Sequence, residues 1–264
     1  MEAQATQGLL RFFQMIPDSR AANARHLMSD ILSIAILAVL CGSESWAAVE
    51  FWGQGNLDWL STFLELPHGI PSHDTFDRVF AMLDPLEFEK CFNQWVAALA
   101  QNSSGLFLAV DGKTLRHSWK HAWSKTPVHL VSAFVSQNKL VLGQIATQSK
   151  SNEITAIPKL LAMLNLAGLT VTIDAKHVAQ GIRQHWGIEN GLHWCLDMAM
   201  REDECRLRVE HGAENFSRLR RIALNKLKRW QPRKSNGKPL KAGIRIKQQA
   251  CGWSRKFLLE ALLA

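Results

Sequence analysis

The 264-residue sequence has no tyrosine, five scattered cysteines and no CxxC pair. An odd number of scattered cysteines argues against a disulfide framework, and the missing CxxC spacing argues against a zinc ribbon. The apolar run Ile31–Gly42 is too short to span a bilayer and predicts a buried helix. The N-terminus lacks the basic start and apolar stretch of a secretory signal. We therefore expect a reduced, cytoplasmic protein with no membrane segment.

Acidic residues are scarce in the last quarter of the chain. Residues 1–200 carry 14 basic and 17 acidic side chains, whereas residues 201–264 carry 17 basic and 6 acidic ones. A basic end on a nearly neutral body is typical of a surface that binds a polyanion, although a solvated helix face is the alternative. The side chains expected to contact DNA phosphates are Arg218, Arg220, Arg221, Lys226, Lys228, Arg229 and Lys234.

Local patterns divide the chain into three parts. Residues 1–104 have the apolar spacing of helices, and Ser72 or Asp74 is suited to cap one of them. In residues 105–200 an amphipathic helix at 154–166 accompanies four β-rich runs, 106–110, 128–135, 140–147 and 169–173. In residues 201–264 helices are expected at 214–230 and about 253–263, on either side of a Pro-, Gly- and Lys-rich stretch at 231–243. We predict an α+β protein with a helical N-terminal domain, a mixed-sheet core and a basic helical C-terminal region.

Two aspartates directly follow apolar strands. Asp111 follows LFLAV, and Asp174 follows LTVTI. Carboxylates at neighbouring strand ends make a hard-oxygen site that suits Mg²⁺ or Mn²⁺. Two such ions ~4 Å apart can activate water or a 3′-hydroxyl for phosphodiester transfer. Aspartates at strand ends are also common as turn formers and helix caps, so the spacing alone leaves that alternative open.

A third carboxylate, Glu189, lies in the predicted helix RQHWGIENGLHWCLD. Helical spacing puts Glu189 on one face with His185 and Leu196, and Trp186 and His193 lie alongside. A carboxylate flanked by two histidines could be a metal ligand. An ordinary salt-bridged helix face is the alternative.

Long motifs along nearly the whole chain resemble a single family. They are PDSRAANARHLMSDILSIAILAVLCG and GIPSHDTFDRVFAMLDP in the N-terminal part, VDGKT, KSNEITAIPKLL and LTVTIDA in the middle, and RQHWGIENGLHWCLDMAMREDECRLR towards the C-terminus. In these motifs the sequence resembles the H-repeat-associated insertion-sequence transposases. That family is a branch of the DDE transposases, which have an RNase H-like catalytic core.

The resemblance implies a reaction, a cofactor and a partner. The reaction would be hydrolysis of a DNA strand at the element's end, followed by attack of the freed 3′-hydroxyl on target DNA. The cofactor would be Mg²⁺ or Mn²⁺, and the partner double-stranded DNA, bound by a homo-oligomer associated with the nucleoid. Asp111, Asp174 and Glu189 would match the catalytic, metal-binding carboxylates. The implied auxiliary residues are Lys113, His185, Trp186 and His193.

The sequence departs from the family pattern in two respects. His185 and Leu196 stand where a related motif has an arginine four residues before the glutamate and a lysine seven residues after it. Glu189 also follows Asp174 after only 15 positions, as if an internal block were missing between them. A helix starting near Val178 would carry Glu189 about 16 Å along its axis, at ~1.5 Å per residue, away from Asp174.

This geometry predicts a shortened core with impaired catalysis. Unwound first turns, or a glutamate supplied by a second subunit, would rescue the site. The expected function is that of a DDE transposase acting on insertion-sequence ends. The alternative is a non-catalytic DNA-binding remnant that competes with or inhibits a full-length transposase.

Overall fold

The N-terminal part of the protein is helical. The computed structural model describes residues 8–20, 23–99, 105–116, 118, 127–147, 152–173, 186–234 and 236–264. Up to residue 99 the structure contains five helices in the described ranges, namely α1 (Met28–Leu40), α2 (Trp46–Gly55), α3 (Leu57–Leu60), α4 (His73–Met82) and α5 (Pro85–Leu99). No helix in the described ranges is both long and apolar enough to cross a membrane.

Capping residues explain where these helices begin. The Ser45 and Ser72 side chains accept hydrogen bonds from the backbone N–H groups of the first turns of α2 and α4, as is usual for serine at an N-cap. Pro85 is the first residue of α5, a position that needs no backbone N–H donor. Every residue of α1 from Asp30 to Leu40 is buried, as the apolar run predicts.

A mixed four-stranded sheet forms the centre of the chain. Its strands are β1 (Phe107–Thr114), β2 (His129–Val135), β3 (Leu140–Thr147) and β4 (Thr170–Ile173), and their spatial order is β3-β2-β1-β4. The β1–β2 and β2–β3 pairs are antiparallel, and β1–β4 is parallel. Helix α6 (Glu153–Ala162) connects β3 to β4 and packs on β2 and β3. The predicted α+β class is confirmed.

Strand β1 extends further than the sequence predicts. The aspartate expected at its end, Asp111, lies inside the strand and pairs with Ser132 of β2, and pairing continues to Thr114. Gly112 makes this possible, since a Cβ atom there would overlap the side chains of Glu153 and His129. On the β4 side the described pairing stops at Val110 opposite Ile173. Asp111 is therefore one residue past the described β1–β4 ladder rather than at a turn.

The C-terminal part packs one long helix through the middle of the molecule. A helical segment at 186–198 comes first, and its last five residues form α7 (Trp194–Met198). It is followed by α8 (Gly212–Arg229), α9 (Ile244–Trp253) and α10 (Arg255–Leu263). Helix α8 contacts α1, α4, α5, β3, α9 and α10. It thus joins the N-terminal helices, the sheet and the last two helices in one core.

The central position of α8 corrects part of the predicted DNA surface. Its residues Arg218, Arg220, Arg221 and Lys226 are at most 5% exposed. They are occupied inside the protein: for example, Arg218 donates to Glu89 at 2.6 Å, and Lys226 donates to the Leu262 carbonyl at 2.7 Å. The prediction that these four side chains contact DNA phosphates is wrong, because acids and carbonyls from distant segments partner them within the core.

The remaining basic residues of that prediction have different environments. Lys228 is half-buried, whereas Arg229 and Lys234 are exposed. Further exposed basic residues follow on the same C-terminal stretch, namely Arg233, Lys238, Lys241 and Arg245. A DNA contact by Arg229 or Lys234 stays a prediction.

Candidate metal centre

Two carboxylates and a histidine converge beside the sheet. The Nδ1 atom of His193 lies 3.6 Å from Oδ2 of Asp111 and 3.5 Å from Oε2 of Glu189. One ligand atom from each of the three residues lies within 4.8 Å of the other two. Asp111 comes from β1 and the other two from the 186–198 helix, so a strand and a helix 78 positions further along the chain form one cluster.

A π-helical turn places Glu189 and His193. The segment Glu189–His193 is π-helical, and the backbone N–H of Trp194 donates to the carbonyl of Glu189, five residues earlier. A single wide turn inside an α-helix is frequent at functional sites. It turns the two side chains towards β1 without ending the helix.

Two glycines let this helix lie close to β2. A Cβ atom on Gly191 would stand 2.9 Å from Cε1 of Phe134, and one on Gly187 would overlap Ser136. Glycines four residues apart lie on one helix face. Because neither has a side chain, the backbone can pack on Phe134 and Ser136, and the neighbouring face of the helix reaches Asp111.

His193 is the buried member of the cluster. It is 5% exposed, and its Nε2 atom has no hydrogen-bond partner among the residues that the structure describes. Burial lowers the pKa of His193 to about 4, because a charged imidazolium is poorly solvated there. At neutral pH the ring is therefore uncharged and can offer a nitrogen lone pair to a metal ion.

Lys113, two residues along β1 from Asp111, is held by three acids. Its ammonium group contacts Asp197, and it lies 3.2 Å from Glu202 and 3.4 Å from Asp203. Burial alone would lower the pKa of Lys113, but these carboxylates raise it. The lysine is thus a fixed cation that ties β1 to the end of the 186–198 helix.

Glu202 extends this network to α8. It accepts hydrogen bonds from Ser217 at 2.6 Å and from Arg221 at 3.1 Å. Arg221 also donates to the Ser132 hydroxyl at 3.3 Å, and Ser132 pairs with Asp111 in the sheet. Burial alone would raise the pKa of Glu202, but Arg221 and Lys113 hold it well below its usual range.

Sequence reasoning missed most of this supporting layer. No local pattern marks Asp197, Glu202 and Asp203 as partners of Lys113, although the acidic run EDE at 202–204 lies in the same long motif as Glu189. A lysine predicted to lie next to a candidate metal-binding aspartate in a β-strand needs a partner when it is buried. That need was the available signal for an acidic cluster nearby.

The donor set and the spacing fit a divalent cation. Ligand atoms on bonds of ~2.1 Å lie about 3.0 Å apart at a right angle and about 3.4 Å apart at a tetrahedral angle. The observed 3.5 and 3.6 Å separations from His193 need only small adjustments, and the carboxylate oxygens of Asp111 and Glu189 lie within 4.8 Å of each other. Two carboxylate oxygens suit Mg²⁺ and Mn²⁺ alike, whereas the imidazole nitrogen favours Mn²⁺. The unpartnered Nε2 atom of His193 remains to be satisfied whether or not a metal ion binds.

The other predicted site residues divide into two groups. Asp174 and His185 lie outside the described residues. Trp186 is described and is 65% exposed, and it is not one of the three residues that converge. The expected separation of Glu189 from Asp174 stays a prediction, because Asp174 lies outside the described residues. Glu189 does come close to Asp111 within the same chain.

Comparison with known proteins places these features in a class. Residues 10–96, which include the N-terminal helices α1 to α4 and most of α5, match the family described as DDE_Tnp_1-associated. The match lies inside the predicted domain of residues 1–104, and the domain boundaries stay a prediction. No solved structure matches the chain significantly.

Relatives of known family cover nearly the whole sequence. The "H repeat-associated putative transposase YhhI" of Escherichia coli strain K12 is 29% identical over 96% of this chain and 97% of its own length. The "H repeat-associated putative transposase YbfD" of the same strain is 39% identical over 68% of this chain and 73% of its own. The "Inactive transposase YbfQ" is 40% identical over 27% of this chain and 86% of its own. The chain belongs to the H repeat-associated transposase family.

The alignment with YhhI contains many positions that this chain lacks. It extends over 374 positions but covers 96% of 264 residues, which is about 253. About 120 aligned positions therefore face gaps in this chain. The relative carries that much additional sequence between the ends of the match.

Proposed function

We propose that this transposase-family protein cuts DNA at a divalent-metal centre built on Asp111, Glu189 and His193. The observation that carries the proposal is the approach of Asp111 and Glu189 to one histidine within a single chain. No second subunit is needed to supply the glutamate. The cation is Mn²⁺ or Mg²⁺, since the two carboxylate oxygens suit both, and the imidazole nitrogen favours Mn²⁺ of the two.

Each residue has a distinct role in the proposal. Asp111 and Glu189 supply oxygen ligands, and His193 supplies a neutral nitrogen. Asp174 is proposed as a further carboxylate, because it directly follows Ile173, the last described partner of β1 in β4. A bound divalent cation would lower the pKa of a water molecule and stabilise the leaving oxygen of a phosphodiester. Lys113 is a positioning residue, since all its described contacts are with acids of the supporting network.

DNA is the expected partner of a transposase-family protein, and exposed basic residues can receive it. Arg229 and Lys234 lie at the end of α8 and just after it, with Arg233 and Lys238 close by in sequence, and all four are exposed. Contacts of such residues with phosphates release counterions and make binding salt-dependent. The buried basic residues of α8 contribute no contact of this kind.

Nicking of supercoiled plasmid in Mn²⁺ or Mg²⁺ tests the proposed reaction. The native chain is compared with Asp111→Asn, which removes a ligand charge at nearly constant volume, and with Asp58→Asn, which removes an exposed carboxylate from α3. We expect nicking by the native chain and by Asp58→Asn, and loss of at least about a hundredfold with Asp111→Asn, as for other groups that stabilise a phosphoryl-transfer transition state. Equal rates for the native chain and Asp111→Asn would refute the proposal.

A second candidate function is DNA binding without catalysis, in competition with a full-length transposase. The observation that favours it is the set of about 120 aligned positions absent from this chain; we place the missing block between Asp174 and Glu189. One relative is itself named an inactive transposase. Salt-dependent DNA binding together with no nicking in either metal would select this function over the enzyme.

A further inference from the structure

A basic cleft lies on the other side of the helix that carries Glu189. It has a volume of about 510 Å³, and Lys139, Lys228 and Lys247 line it together with Asn190 and Gly191 of that helix. We call it the lysine cleft. Among the described lining residues there is no aspartate or glutamate. One helix therefore separates a carboxylate centre from a site lined only by cations and neutral groups.

The three lysines reach the cleft from three different elements. Lys139 is an exposed residue of the turn between β2 and β3, Lys228 lies in the last turn of α8, and Lys247 lies in α9. The Lys228 ammonium donates to the Gly191 carbonyl. Convergence of three cations from separate segments is costly unless an anion is present to balance them.

Lys228 and Lys247 have N–H donors that their contacts with the described part of the protein do not use. An ammonium group has three N–H donors. Lys228 uses one of them on Gly191, and Lys247 uses two on the carbonyls of Leu227 and Trp230. Counted over the described residues, at least one donor of each lysine is thus left for a ligand in the cleft.

The positive charge of Lys139 also makes the protonated forms of Lys228 and Lys247 less stable. Burial lowers the pKa of Lys228 to about 8, and the proximity of Lys139 acts in the same direction. The pKa of Lys247 is also lowered, mainly by burial and then by the nearby charge of Lys139. A bound anion would reverse this repulsion and keep all three ammonium groups charged.

The start of α9 adds a partial positive charge to the same cleft. The helix begins at Ile244 with Gly243 as its N-cap, and both residues line the cleft. No side chain caps this end, and the first turn has no acidic residue. An uncapped helix N-terminus favours anions through its backbone N–H groups and the helix dipole.

We propose that the lysine cleft is a phosphate-binding site. The phosphate is either a phosphodiester of a DNA strand lying across the 186–198 helix or a free phosphate group. The tetrahedral anion matches three ammonium donors and a helix N-terminus, and ammonium groups bind phosphate as point charges. The site needs the lysines and not Asp111, so it stands or falls independently of the proposed metal centre.

Oligonucleotide binding in EDTA tests the site while the carboxylate centre holds no metal ion. Fluorescence anisotropy of a labelled single-stranded and a labelled duplex oligonucleotide is measured against NaCl concentration for the native chain, Lys139→Gln and Lys159→Gln. Both lysines are exposed, but Lys159 lies in α6, away from the cleft lining. For Lys139→Gln we expect about fivefold weaker binding at low salt and a salt slope shallower by ~0.7–0.9, the loss of about one phosphate contact. Lys159→Gln should retain more of the native affinity and slope.

The source of the phosphate is resolved by a second titration. Inorganic phosphate is titrated into the same three proteins by calorimetry. If Lys139→Gln weakens the binding of both phosphate and the oligonucleotide relative to Lys159→Gln, the cleft binds free phosphate as well as DNA. If it weakens only the binding of the oligonucleotide, the cleft binds the phosphodiester of a DNA strand. If Lys139→Gln and Lys159→Gln behave alike with both probes, the site does not exist.

A second variant checks the same site from α8. Lys228→Met, checked for folding by its thermal melt, should reproduce the effect of Lys139→Gln. Asp58→Asn, at an exposed site in α3, should leave oligonucleotide affinity in EDTA unchanged. The measurement needs neither a metal ion nor nicking, so its outcome is separate from a failure of the nuclease proposal.

Discussion

Arg221 of α8 donates to Glu202 over 3.1 Å, and neither side chain is exposed to solvent. Ser217 donates to the same carboxylate oxygen at 2.6 Å. A buried ion pair is stable when hydrogen bonds satisfy it, but loss of one partner leaves a charge that water cannot reach. The pair therefore fixes α8 to the segment that follows the Glu189 helix, and with it the spacing between helix and sheet.

Replacing Glu202 by glutamine should strongly destabilise the protein. The change leaves Arg221 and Lys113 as buried cations with one fewer acid, and we expect the free energy of unfolding to fall by about 3–5 kcal/mol. Glu204→Gln is the matched control, since Glu204 lies two residues away, is exposed and pairs with Arg201 at the surface. It should cost less than about 1 kcal/mol. Urea unfolding measures both; similar losses in the two variants would contradict the assigned role of Glu202.

The contribution of Glu202 to the free energy of unfolding should depend on pH in the acidic range. The folded-state pKa of Glu202 is held below its ordinary value of 4.5. Its stabilising contribution is therefore present above pH 4.5 and is lost as the pH falls below that value, because the unfolded chain then binds the proton first. Glu202→Gln lacks this contribution, so the stability difference between the native chain and the variant should shrink as the pH decreases through this range.

Glu89 and Arg218 should couple in a double-mutant cycle. Arg218 donates to Glu89 at 2.6 Å with both side chains 1% exposed, and Glu89 also accepts from the Gln144 backbone at 2.8 Å. Arg218→Met alone leaves a buried carboxylate unpaired and should cost about 3–5 kcal/mol. The double variant Glu89→Gln, Arg218→Met should cost less than the two single changes together, since no charge is left alone. Additive losses in urea unfolding would exclude the coupling.

Lys226 should make the protein more stable at alkaline pH. Burial lowers its pKa from 10.5 to about 8 in the folded chain. Between pH 8 and 10.5 the unfolded chain binds more protons than the folded chain, so this group raises the free energy of unfolding with pH, by up to about 3 kcal/mol. Lys226→Met removes that rise. The exposed Lys256 offers the control, because Lys256→Met should keep the pH dependence of the native chain in thermal or urea unfolding from pH 7.5 to 10.

Mn²⁺ affinity should depend on the three converging residues. Asp111→Asn or His193→Gln should weaken Mn²⁺ binding by at least about tenfold, the effect expected when a metal site loses part of its ligand support. Asp58→Asn, at an exposed site in α3, should bind as the native chain does. Isothermal titration calorimetry gives the dissociation constants. Binding that neither Asp111→Asn nor His193→Gln weakens would place the metal ion elsewhere.

Much of the fold follows from local sequence patterns. The run at 140–147 forms β3 with the predicted bounds, and Ser72 caps α4 as its position suggests. Helix α9 was not predicted, because the lysine- and glycine-rich stretch before it favours a loop. It is held by contacts beyond its own sequence, such as Lys247 with the carbonyls that end α8 and Gln248 with the Val39 carbonyl at 3.3 Å.

The site was predictable in its members but not in its arrangement. The sequence pattern indicated Asp111 and Glu189, whereas the meeting of Glu189 with His193 and Asp111 depends on a π-helical turn that no spacing rule specifies. The burial of Arg218 was equally hidden. Its partner Glu89 lies 129 positions away, so a count of charges along the chain cannot distinguish an internal cation from a DNA-binding one.

The central place of α8 has a consequence for synthesis of the protein on the ribosome. The apolar helix α1 emerges early, yet one of the surfaces that covers it belongs to residues 212–229. Nearly two hundred residues must be translated before that cover exists. The N-terminal helices therefore cannot complete their core while the rest of the chain is still being made. During that interval their exposed apolar faces are open to chaperones and to aggregation.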